Sequence, residues 1–93
     1  MKEYLERYLV EFLGSVFFLY VIISTGNYLA IGLALSLVVL LGGSISGGNF
    51  NPAVTIMMAL AGKQPMSDII PYSLCQIAGG IVAIELYNKN IFG

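Results

Sequence analysis

Three apolar stretches, at about residues 8–25, 28–43 and 69–87, occupy more than half of this 93-residue chain. Each approaches the ~20 residues that carry a helix across a hydrocarbon core of ~30 Å. Only 10% of the residues are charged and 58% are hydrophobic, where ordinary globular chains carry roughly a quarter charged. A soluble domain this small buries only about two-thirds of its surface, and nine charged side chains cannot cover the rest. A soluble enzyme, a disulfide-framed secreted domain and a disordered tail are therefore excluded. The expected class is an all-α, multi-pass integral membrane protein, surrounded by the lipid bilayer and located in the cell membrane.

Four basic and five acidic residues give a net charge of −1, which supplies no basic patch for nucleic acid and no polybasic run for anionic lipid. The single cysteine, Cys75, lies in an apolar run and reads as a buried thiol. With no histidine, metal-ligand spacings are absent, and no metal or cofactor is expected. No nucleophile–base pair or phosphate-binding loop points to an enzyme. Glu3 and Glu6 stand where a secretory signal would be positive, so the first stretch reads as a span, not a leader.

Ser24-Thr25-Gly26-Asn27 is a compressed turn that makes the first two spans an antiparallel pair. The other polar connector runs from Lys63 to Asp68, with Ser67 as the expected cap of the third span. Residues 44–61 fit neither a span nor a loop. Four glycines fall between Gly42 and Phe50, and a short apolar helix follows with both ends marked. Asn51 suits the N-cap, Pro52 the first helical position, and Gly62-Lys63 a stop. Eleven residues give about 16 Å, half the hydrocarbon thickness, so the segment reads as a re-entrant loop and half-helix. Such non-helical backbone survives at membrane depth only inside protein or along a wet cavity. An interfacial helix is the alternative, but only Thr55 is polar between Ala53 and Ala61. Small residues mark a packing face on each span: Glu11, Gly14, Ser15 and Phe18; Gly32, Ser36, Val39 and Gly43; Gln76, Gly79, Gly80 and Ala83. Met57 and Met58 read as packing residues, and Glu85 with Lys89 as a surface pair.

Ser46-Gly47-Gly48-Asn49-Phe50-Asn51-Pro52-Ala53-Val54-Thr55 resembles the first-half signature of the aquaporin, or major intrinsic protein, family. The resemblance extends to Glu11-Phe12-Leu13-Gly14-Ser15 and to Pro71-Tyr72 through Gly80, nearly the whole chain. It implies that residues 1–93 are a single half-repeat with three transmembrane helices and one re-entrant half-helix. Two such halves of opposite orientation make one pore in the family. Three features depart from the family pattern: a short first connector, Ser44 and Asn49 where many members carry histidines, and Ile31 where an aromatic usually stands at the filter. Val54 occupies the place of the arginine that follows the second-half motif.

The resemblance implies a passive channel for water or small neutral solutes such as glycerol, formed by an antiparallel pair and assembled into a tetramer of pores. Its pore residues would be Gly47, Gly48 and Asn49, through backbone carbonyls, with Asn51, Pro52, Ala53, Ile31 and Val54. The positive end of a half-helix helps exclude cations from such pores. An asparagine at Asn51 can cap the helix through its carbonyl oxygen while its NH₂ remains a donor for passing water; an aspartate cannot. By the same resemblance Glu11 braces the loop, with Gln76 and Ser44 as further support. A charged side chain inside a span is usually functional, and a proton-relay role for Glu11 is the alternative. Two other readings stay open: a non-conducting subunit that associates with another half, and a small transporter coupled through Glu11.

Overall fold

A computed structural model describes residues 2–92. Helix α1 spans Lys2–Thr25, α2 Tyr28–Ser46 and α3 Pro52–Leu60; a 3₁₀ turn, Met66–Asp68, leads into α4, Ile69–Asn88. Three of these helices are long and apolar enough to cross a membrane, the last counted from Met66. No strand occurs among the described residues.

Local chemistry sets the helix ends. Helix α1 starts six residues before the apolar stretch, because Lys2–Arg7 continue the helix as a polar turn, with Glu3 near its positive end. At its other end Thr25 Oγ1 bonds Val21 O at 2.7 Å, and Asn27 Oδ1 accepts from Ala30 N–H at 2.9 Å, capping α2. Helix α2 runs to Ser46, past the expected limit of residue 43, and stops where Gly47 takes φ 95°. Helix α3 has the expected Asn51 cap and N-terminal proline. The α4 cap differs from expectation. Ser67 is exposed within the 3₁₀ turn, and the capping position falls to Asp68, whose side chain makes no cap bond.

Helices α1 and α4 run parallel. Arg7 meets Asp68, Glu11 meets Gln76 and the Tyr20 ring lies 5.4 Å from that of Phe92. A Cβ added at Gly79 would come within 2.8 Å of Ser15 Cβ and 2.9 Å of Phe12 O, so glycine is what lets these helices touch. The packing face of α2 is not the one expected. The buried stripe is Ala34, Val38, Gly42 and Ser46, spaced by four; Gly32 has open space around it and Val39 is 42% exposed. Sequence alone could not choose between two faces that both carry small residues.

The interior is polar. Among the described residues, seven buried polar or charged ones outnumber six buried hydrophobic ones, while leucines and isoleucines fill the surface. This distribution suits a chain whose surroundings are lipid and whose interior must satisfy its own polar groups. It also sets sidedness: Lys2, Arg7 and Lys63 lie toward one end of the bundle, and Lys89, 3.8 Å from Glu85, toward the other.

Candidate functional site

Glu11 is fully buried in α1, about 14 Å of helix from Lys2 and about 21 Å from Thr25 at 1.5 Å per residue. All four lone-pair positions of its carboxylate are taken. Oε1 accepts from Phe50 N–H and Gln76 Nε2, both at 2.8 Å. Oε2 accepts from Ser46 Oγ at 2.7 Å and Asn49 N–H at 3.1 Å. Two of these donors are backbone amides of the loop between α2 and α3, so a span and a loop are fastened inside the bundle. A proton on either oxygen would displace a donor, which does not suit a relay.

Around this hub lies a second layer. Thr55 Oγ1 accepts from Asn49 Nδ2 and Gln76 Nε2, each at 2.9 Å. Asn49 Nδ2 also donates to Gln64 Oε1 at 2.8 Å, and Ser46 Oγ accepts from Gly48 N–H at 3.1 Å. The Asn49 side chain is thus turned into the bundle. Ser44, expected to support the loop, does not take part: it is exposed on α2 and makes no side-chain hydrogen bond among the described residues. Ser46 takes that place because the helix continues through it, two residues and about 200° around the axis from Ser44.

Asn51 Oδ1 accepts from Ala53 N–H at 2.8 Å, while its Nδ2 donates to no described group and the residue is exposed. No described N–H or O–H donates to the carbonyls of Gly47, Gly48 or Asn49. Three acceptors and one amide donor are therefore left open beside the N-terminus of α3, whose Ala53 is exposed and Pro52 half-buried.

Phe50 is a site residue that sequence reasoning did not single out. It has φ 57°, unusual for a bulky side chain, and is 2% exposed. Its ring occupies the space left by the absent side chain of Gly14, and a Cβ at Gly42 would come within 3.4 Å of it. Glycines on two spans before an aromatic at the loop tip are the signal that could have found it.

Gly48 lies against α2, where a Cβ on it would be 3.3 Å from Gly43 Cα and 3.6 Å from Val39. Gly43, Val39, Leu35 and Ile31 follow at four-residue spacing, so Ile31 shares a stripe with the loop. It stands twelve residues from Gly43, about 18 Å along the helix. Val54, half-buried, lies in the first turn of α3, which leads away from that end. One chain alone therefore does not bring Ile31 and Val54 into one ring. Among the described residues no cluster of potential metal ligands occurs.

Comparisons with known proteins agree with the motif. The family described as Major intrinsic protein matches residues 1–91. Glycerol uptake facilitator protein-like 6 of Lactiplantibacillus plantarum is 42% identical over 88 residues, covering 85% of this chain and 41% of that protein. Aquaporin-8 of Rattus norvegicus is 38% identical over 96 residues, 91% of this chain and 36% of that protein. Aquaporin Z of Brucella melitensis is 45% identical over 61 residues, 66% of this chain and 27% of that protein. The chain thus spans less than half the length of these relatives. No solved structure gives a significant match.

Proposed function

The chain belongs to the major intrinsic protein family, and from that membership we propose that it is half of a passive pore for water and small uncharged solutes such as glycerol, completed by a second, inverted copy. One observation carries this reading: the unpaired carbonyls of Gly47, Gly48 and Asn49, with the free Nδ2 of Asn51, at the depth of Glu11. Such backbone cannot face hydrocarbon. A lumen supplies water to those groups, and an inverted second half closes the lumen, as inverted repeats do around midplane sites. Tetramers of such pores, eight chains in all, are the proposed assembly.

The acceptors guide water past two half-helix ends whose partial positive charges oppose cations. The filter combines Ile31 of one copy with Gly48 and Val54 of the inverted other, once toward each end of the pore, an apolar ring without a guanidinium. It passes small neutral solutes broadly. Osmotic swelling of liposomes holding only the purified chain is the test, with water and glycerol compared. Val54→Arg and Ile31→Phe are expected to lower glycerol relative to water by about fivefold, by narrowing the ring and adding a fixed charge. Unchanged ratios in both variants would remove Ile31 and Val54 from the constriction.

A second reading follows from the same open acceptors, which any complementary half could cover: a non-conducting subunit that pairs with another half. Liposomes containing this chain alone then stay impermeable and gain flux only with the partner.

A further inference from the structure

We infer that Arg7 and Asp68 form a positioning pair that clamps the glycine segment of the pore loop from one membrane face; the inference rests on the pore reading for its effect on flux. Arg7 Nη2 pairs with Asp68 Oδ2. Asp68 is 1% exposed although it lies at the start of α4. The guanidinium, 22% exposed, has further partners: its Nε donates to Tyr72 Oη at 3.1 Å, and its centre lies 5.2 Å from the Tyr72 ring and 5.6 Å from that of Tyr4.

From this pair two branches reach the loop. On one, Tyr72 Oη donates to the carbonyl of Ser46 at 2.5 Å, the last residue of α2. On the other, Gln64 Nε2 donates to Asp68 Oδ2 at 3.1 Å, and Gln64 Oε1 accepts from Asn49 Nδ2 at 2.8 Å. The branches end on Ser46 and Asn49. Between those residues lie Gly47 and Gly48, both at positive φ, where backbone without a Cβ turns most freely. Glu11 holds the same segment through the N–H groups of Asn49 and Phe50. The loop is thus fixed from two directions, by Glu11 from within the bundle and by the ion pair from its end. Glycines alone would not hold a direction for their carbonyls; the flanking anchors give them one.

Removing one partner of a buried pair leaves an uncompensated charge, so Asp68→Asn is read beside two variants that keep both charges. Asp68→Asn keeps the shape and an acceptor for Gln64 but removes the charge, Asp68→Glu restores it, and Gln64→Leu leaves the ion pair intact while cutting its branch to Asn49. Each is reconstituted, checked for helix content, and read in two ways. Hydrogen exchange at the Asn49 and Phe50 amides is expected to speed by about tenfold in Asp68→Asn and Gln64→Leu, because local opening governs exchange. In the same variants the glycerol-to-water permeability ratio is expected to shift by about threefold, with Asp68→Glu returning toward the unsubstituted ratio, since selectivity follows the fixed lining groups. If folded Gln64→Leu and Asp68→Asn keep both exchange and ratio unchanged, the clamp is overturned. Faster exchange with an unchanged ratio overturns its role in positioning the pore. Should the unsubstituted chain conduct nothing, the pore reading fails and takes the flux effect with it, whereas exchange still decides whether the pair clamps the loop.

Discussion

Asn51→Asp is expected to cut water flux several-fold and to open a cation leak. The aspartate can still cap α3, because Oδ1 is the atom that accepts from Ala53 N–H. What changes is the other end of the side chain, from NH₂ donor to carboxylate oxygen. A full charge about 5 Å from a passing cation attracts it by about 3 kcal/mol at an effective dielectric of about 20. The half-charge of the helix end offsets about half of that, leaving roughly a tenfold gain in cation occupancy. Conductance in planar bilayers, beside osmotic flux in vesicles, measures both effects. A variant that stays ion-tight and conducts water normally would reduce Asn51 to a helix cap.

Glu11→Gln should cost the fold more than any other single change of this size. Four donors converge on the carboxylate, and a glutamine would point an NH₂ at two of them. Hydrogen bonds to a charged group contribute about 1.5–3 kcal/mol each, and an unsatisfied buried donor costs about 1–3 kcal/mol. A net loss of at least about 3 kcal/mol is expected. Thermal unfolding in detergent would register it as a large fall in Tm, with loss of flux. Stability within about 0.5 kcal/mol of the unsubstituted chain would mean that the loop does not depend on the carboxylate.

Much of this site is legible in the sequence because its residues are costly where they stand. A glutamate and a glutamine inside apolar spans need partners, and Asn51-Pro52 marks a helix start wherever it occurs. What the sequence conceals is rotational. Ser44 and Ser46 are equivalent in composition, and only the continuation of α2 to Ser46 decides which one faces Glu11. The same ambiguity hides the buried Ala34–Val38–Gly42 stripe behind the glycine and serine of the opposite face. Phe50 is concealed for another reason. Its left-handed backbone is imposed by the anchors on either side of it, not by any local preference of phenylalanine. The Arg7–Asp68 pair spans 61 residues, a separation at which no spacing rule operates.

The proposed pore requires two copies of this chain to lie inverted in one membrane. Lys2, Arg7 and Lys63 at one end and Lys89 at the other leave a bias of only two basic residues, and orientation follows such bias. The most direct measurement uses a chain carrying Met66→Cys, at an exposed position beside α4, with Cys75→Ser removing the native thiol. A membrane-impermeant thiol reagent is applied to intact cells, then again after permeabilisation. With inverted pairs, about half of the chains react from outside and the rest only once the membrane is opened, as a weak charge bias allows. Labelling of all chains from outside, or of none until permeabilisation, would place every copy the same way up and contradict the inverted pair.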